Sequence, residues 1–127
     1  MPTPLRCDPK LFEKVLSSQV VVVTGANSGC GLETARQLAQ QKATVVMACR
    51  NAERGEAAAK EVGGVFLAPM DLGSLDSVRD FVKAFEAKYD RLDVLVNNAG
   101  IMRCPYATTK DGFEMQIGCN HLGHFLL

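Results

Sequence analysis

The sequence predicts an α/β domain: a doubly wound parallel sheet with helices on both faces. Three observations carry this. Short β-branched runs alternate with amphipathic helical stretches along nearly the whole chain, the pattern of βαβ units. The first of those runs is apolar without alternation, as a strand buried on both faces must be. A cluster of glycines stands between that strand and the helix after it.

Residues 1–18 open with prolines and turn briefly helical over Lys10 to Leu16, so they form a lead-in arm to a single domain at 19–127. Val20 to Val23 is the first strand, ended by Thr24-Gly25. Leu32 to Gln41 is a helix with Leu32, Ala35, Leu38 and Ala39 on one stripe. Thr44 to Ala48 is the second strand. Ala52 to Glu61 is a helix closed by Gly63-Gly64. Val65 to Met70 is a third strand. Ser74 caps the next helix, with Asp76 in its first turn, and Leu75, Val78, Phe81, Val82 and Phe85 face a core as the helix runs to about Lys88. Leu92 to Val96 is a fourth strand, a loop spans Ile101 to Gly112, and a last helix begins near Phe113 and still runs at Leu127.

Composition narrows the function. The 127 residues carry 14 basic and 14 acidic side chains, so no basic footprint points to nucleic acid. No apolar run is long enough to span a membrane, and the N-terminus has no signal-peptide core. The five cysteines form no Cys-x-x-Cys pair, so they predict no metal site and are expected to be reduced, mostly buried thiols in a cytoplasmic protein. His121 and His124 are three apart, but no acid or cysteine completes a metal site around them.

The glycines fall at 25, 29 and 31, in the form Thr-Gly-x-x-x-Gly-x-Gly. A turn of this kind leaves a strand tightly, lets backbone approach a diphosphate, and packs the next helix close to the sheet. The free N–H groups and positive dipole end near Gly29 to Leu32 suit phosphate. No Gly-Lys-Ser/Thr follows, so this is no ATP-type loop. The turn belongs to a Rossmann-type dinucleotide site. In NAD-selective sites an acidic residue about 20 residues beyond the glycines binds the ribose 2′-hydroxyl. Here Arg50 stands 19 residues beyond Gly31, after Met47-Ala48-Cys49, with no acid at that strand end. A guanidinium suits a 2′-phosphate by charge and forked geometry, which favours NADP(H) over NAD(H).

With these residues in view, the chain resembles the short-chain dehydrogenase/reductase family, and within it the retinol dehydrogenase-like group. The similar segments, in order, are Thr24-Gly25-Ala26-Asn27-Ser28-Gly29-Cys30-Gly31, Ala48-Cys49-Arg50, Asp71-Leu72, Asn97-Asn98-Ala99-Gly100, and Asp111 to Glu114 running on to Asn120-His121-Leu122-Gly123-His124-Phe125. The resemblance implies an NADP(H)-dependent oxidoreductase for lipophilic alcohols or carbonyls. It implies that Gly25, Ser28, Gly29 and Gly31 line the phosphates and that Arg50 meets the 2′-phosphate. Asp71 and Leu72 would flank the adenine, and Asn97, Ala99 and Gly100 would shape the cofactor floor. Asn120 would be the catalytic Asn of the proton relay, and the helix 113–127 would serve dimerisation.

Two departures stand out. Lys42 sits where a glycine is common, which predicts a strained turn. The family's Ser and Tyr-x-x-x-Lys lie beyond Asn120, so the sheet is expected to be truncated after the fourth strand and its following helix. Tyr106-Ala107-Thr108-Thr109-Lys110 fits that spacing by letter, but it falls in the loop after the fourth strand, behind Pro105, and is rejected. Without the pair, carbonyl reduction lacks its proton donor. The alternatives are a non-catalytic NADP(H)-binding or interaction module, or a piece that does not fold stably alone.

Overall fold

The computed structural model describes residues 7–127. Residues 1–6 of the expected arm lie outside the described residues. The rest of the arm is a 3-10 turn, Pro9–Glu13, followed by an extended stretch clipped to the end of the first helix. The Leu16 N–H donates to the Gln41 carbonyl at 2.7 Å, and Gln41 Nε2 donates to the Leu11 and Lys14 carbonyls.

Three parallel strands form the sheet in the order β2-β1-β3, with β1 Val20–Thr24, β2 Thr44–Ala48 and β3 Val94–Val96. Thr24 is level with Ala48, and Val23 with Val96, so all three carboxyl ends open at one edge. The chain moves to one side of β1 to make β2 and to the other side to make β3. The crevice between β1 and β3 is therefore the switch point where open α/β sheets bind ligands.

Alternation along β1 and β2 builds two cores. Val21, Val23, Val45 and Met47 face α1 (Gly29–Gln40) and α2 (Ala52–Val62), where Ala35, Ala58, Ala59 and Val62 meet them. Val22, Val46 and Ala48 face α3 (Leu75–Glu86) and pack on Val78, Phe81 and Phe85. The strands are apolar without a break because both faces are covered, as the sequence predicts. The caps follow the sequence too. The Ser74 hydroxyl accepts from the Ser77 N–H, Asp76 lies in the first turn, and Gly63 closes α2 at φ +75°.

Two expected elements are corrected. Val65 to Met70 forms no strand. Only Val65 joins the sheet, bridging Val46, with a further single bond from the Met70 N–H to the Cys49 carbonyl. Pro69 has no N–H to give a ladder, and the chain bends at Ala68 while Phe66 packs against Gly55. The last helix is also not one helix. The Thr108–Glu114 bridge keeps Phe113 out of it, and Glu114 caps α4 (Met115–Ile117) by accepting from the Gln116 and Ile117 amides, which holds its carboxyl below the usual range. A π turn, Gly118–Leu122, follows before α5 (Gly123–Leu126).

The outer edge of β3 carries no strand among the described residues, and Leu92 and Val94 are exposed. Beside it a groove of about 260 Å³ is lined by Val22, Phe81, Phe85, Leu95 and Leu127. Phe113, Ile117 and Phe125 are exposed on the final segment. Among the described residues no helix is long and apolar enough to cross a membrane. No cysteine is in a disulfide, but only Cys49 is buried: Cys104 and Cys119 are half-buried, and Cys7 in the arm and Cys30 in the first turn of α1 are exposed.

The expected strain at Lys42 is present. Helix α1 ends with the Ala43 N–H donating to the Leu38 carbonyl, a closure that places Lys42 in the left-handed region at φ +72°. Gly63 does the same task for α2 without a Cβ. Lys42→Gly should therefore stabilise the domain by about 1 kcal/mol and raise the melting midpoint by roughly 4 °C. A thermal melt with an unchanged or lowered midpoint would show that the turn is not strained.

Candidate functional site

The site grows from one hydroxyl. Thr24 ends β1 fully buried, and its Oγ1 accepts the N–H groups of Asn98 (3.0 Å) and Ala99 (2.9 Å). Asn98 Nδ2 donates back to the Thr24 carbonyl at 2.9 Å. These bonds tie the strand end to the loop after β3. Left unpaired, these part-buried amides would cost up to about 1–3 kcal/mol each.

The tie demands glycine. Gly25 turns at φ +63°, and a Cβ on it would stand 3.0 Å from the Ala99 Cα. A Cβ on Gly31 would lie 2.4 Å from the Gly25 carbonyl oxygen and 2.5 Å from Asn98 Nδ2. Helix α1 thus starts hard against the turn. Ser28 precedes it without a side-chain capping bond, and its first turn holds no acid. The opening N–H groups are left for an anion, which the helix dipole also favours.

Next to this turn is a cleft of about 150 Å³ at the carboxyl ends of the strands. Gly25, Arg50, Asp71, Leu72, Ala99, Gly100 and Asn120 all line it, which brings together seven of the residues singled out in the sequence. Ser28, Gly29 and Gly31 form the helix start beside it. Asn97 opens instead into the adjoining depression with Asn120, His121, His124 and Phe125. Arg50 is exposed and enters none of the ion pairs among the described residues. Asp71 Oδ1 accepts the Gly73 N–H at 2.9 Å, and the Asp71 N–H donates to Ser77 Oγ, so this carboxylate is oriented by its own turn.

Asn120 lies in the π turn. Its Oδ1 accepts the Ile101 N–H and its Nδ2 donates to the Ile101 carbonyl, both at 2.8 Å. The side chain pairs with the backbone of the loop after Gly100 much as one strand pairs with another. Two glycines permit this. A Cβ on Gly118 would meet Thr109 Cγ2 at 2.3 Å, and one on Gly123 would meet the Leu72 carbonyl oxygen at 2.5 Å. The Gly123 N–H donates to the Gly118 carbonyl, the wide ring that defines the π turn, a form common at functional sites.

Sequence reasoning missed Asn27, Ala48, Cys49, Met70, Ile101 and Cys119 as lining residues. Cys49 and Met70 flank named motif residues and were legible as neighbours. Ile101 and Cys119 had no signal, because only the turn in the last segment brings them in. Burial pushes both the Cys49 and Cys119 thiols up, with Asp71 adding to the effect at Cys119, so neither is activated as a nucleophile. Tyr106 and Lys110 lie in a non-helical loop, and Tyr106 is 85% exposed. No group of three potential metal-ligating side chains gathers among the described residues.

Residues 19–127 match the short chain dehydrogenase family. The chain belongs to that family. Within it the sequence is retinol dehydrogenase-like. It is 54% identical over 118 residues to human retinol dehydrogenase 11, covering 88% of this chain and 37% of the relative, and 49% identical to human retinol dehydrogenase 13, covering 88% and 36%. This short-chain dehydrogenase chain thus spans little over a third of the length of those relatives. Among solved structures, an uncharacterized protein from Mycobacterium paratuberculosis superposes with a TM-score of 0.80 at 52% identity, over 90% of this chain and 41% of that one. A metagenomic short-chain oxidoreductase in complex with NADP gives 0.73 at 37% identity, over 88% and 54%.

The two glycine contacts make a sharp comparison. Gly31→Ala should destabilise the domain by about 1–3 kcal/mol, because the Gly25 backbone as well as the hydrogen-bonded Asn98 amide blocks the new methyl. Gly29→Ala has only its φ of +54° against it and open space around it, so it should cost about 1 kcal/mol. Denaturant unfolding of both variants checks this, and equal losses would contradict the close approach.

Proposed function

We propose that this chain is the cofactor-binding part of an NADP(H)-dependent oxidoreductase acting on lipophilic alcohols or carbonyls, as the names of its retinol dehydrogenase relatives suggest. One observation carries the choice of cofactor. At the carboxyl end of β2, where an NAD-selective site keeps a carboxylate, the cleft wall holds the exposed cation Arg50.

The residues present fit such a group. The turn has no Cβ where backbone must come close, the start of α1 offers uncapped N–H groups, and Arg50 faces the same cleft as Asp71 and Leu72. Gly25, Ser28, Gly29 and Gly31 would hold the diphosphate, and Arg50 the 2′-phosphate. Asp71 and Leu72 would border the adenine, and Ala99 and Gly100 would support the ribose and nicotinamide end. When bound, the cofactor supplies or accepts a hydride. The chain's own part is to orient it and to hold Asn120 at the loop after β3.

What these 127 residues do not bring to the cleft is a tyrosine to give the proton. The tyrosines are Tyr89 and Tyr106. Tyr89 packs on Phe85 in the groove beside α3, where burial pushes its phenol up, and Tyr106 faces solvent. Neither lines the cleft with Asn120. We infer that this chain alone binds the cofactor without turnover.

Calorimetry tests the reading. NADPH should bind more tightly than NADH, and Arg50→Ala should weaken NADPH about 10- to 100-fold while leaving NADH within about twofold, as expected for one charge-assisted contact. Equal losses for both, or none, would overturn the assignment of Arg50. NADPH mixed with all-trans-retinal should show no oxidation above background, and measurable turnover would overturn the inferred lack of a proton donor.

A further inference from the structure

The protonation pattern of one buried ring links the two halves of the cleft. His124 is 8% exposed and makes two hydrogen bonds, Nε2 to Thr24 Oγ1 and Nδ1 to the Asn120 carbonyl, both 2.9 Å. The donors follow from counting lone pairs. A carbonyl only accepts, so Nδ1 carries a hydrogen. Both lone pairs of Thr24 Oγ1 are taken by the Asn98 and Ala99 amides, so the hydroxyl cannot accept from Nε2. Its own proton points to Nε2 at 2.9 Å rather than to the Val96 carbonyl at 3.4 Å. The ring is therefore neutral, in the Nδ1–H form, and every polar atom in the chain of contacts is satisfied.

We propose that His124 is a positioning residue, a strut through which the cofactor turn sets the placement of Asn120. The proposal rests on the dinucleotide reading of the cleft. One end of the strut is the hydroxyl that holds Asn98 and Ala99 beside Gly25. The other is the backbone of the residue whose side chain clasps Ile101. The π turn makes the strut necessary. Its wider ring departs from the regular helical bonding that would otherwise hold Asn120, and the imidazole bonds the Asn120 carbonyl in addition. His121, three residues earlier, is exposed and stacks loosely on Phe125, with no share in the link. Leu72 takes part indirectly, because its carbonyl lies where only a glycine at 123 lets the ring approach Thr24.

Nitrogen-15 NMR of the full chain tests this. His124 should show a protonated Nδ1 and a bare Nε2 at neutral pH. The Nε2–H form would overturn the proposal. His124→Asn places an amide donor where Nδ1 stands and keeps the Asn120 contact, whereas His124→Gln reaches Thr24 and loses it. The Asn120 side-chain amide signals should stay in place in the first variant and move in the second. Equal displacement in both would reduce His124 to a packing role and overturn the strut. NADPH affinity should fall at least tenfold in His124→Phe, which keeps a ring and removes both bonds. Affinity equal to wild type, with the wild type binding, would contradict the coupling. If the wild type takes up no NADPH, the cofactor reading fails, and the tautomer and the Asn120 signals alone decide the strut. If His124→Phe does not fold, the Asn and Gln pair decides it.

Discussion

The structure depends on a close approach of two backbones at the carboxyl end of the sheet. The β1–α1 turn and the loop after β3 come together because Gly25 and Gly31 lack side chains and because Thr24 offers one oxygen to two amides. An added methyl would fall well inside van der Waals contact at Gly31 and, less severely, inside it at Gly25 as well. Removing the hydroxyl would strand two amides. The same contact that closes the fold shapes the cleft, so stability and binding are not separable here. The cleft is the mould left by the junction of β1, α1 and β3.

Its electrostatics follow from what is left unpaired. Arg50 joins no ion pair among the described residues, and the start of α1 has neither a capping side chain nor an acid nearby. Some charges elsewhere are paired. Arg36 bonds Glu33 and Glu61, and Asp93 bonds Arg91 and the Val20 amide, which holds its carboxyl below the usual range. The turn therefore has an unpaired cation and the open N–H groups of a helix start beside one cleft. The opposite flank, the groove between α3 and β3, is apolar and open, in a chain spanning little over a third of its retinol dehydrogenase relatives.

The sequence made β1, β2 and the three long helices legible because each is coded locally. Unbroken valines mark strands covered on both faces, Ser74 and Gly63 mark helix ends, and the glycine turn carries its own geometry. What it concealed is decided by distant contacts. Val65 to Met70 has strand-like side chains, yet Pro69 and the bend at Ala68 leave only Val65 paired. The segment after Glu114 looks like a continuous helix. It widens where Gly118 meets Thr109 and Gly123 meets Leu72, partners in segments far apart in the chain. For the cleft, the glycines and Arg50 were legible from motif and spacing, and Asp71 and Asn120 from the resemblance to the family. His124 was not. Its partners are 100 residues away in Thr24 and one helical turn away in a carbonyl, and no spacing rule announces such a bridge.

The most direct test of the central claim is a map of where the dinucleotide touches this chain. Backbone amide NMR of the chain titrated with NADP⁺ should shift signals from Gly25 to Leu32, Arg50, Asp71 and Leu72, Asn98 to Ile101, and Asn120, and leave Phe85 and Leu95 unmoved. Shifts centred on the groove between α3 and β3, or none at saturating ligand, would contradict the account.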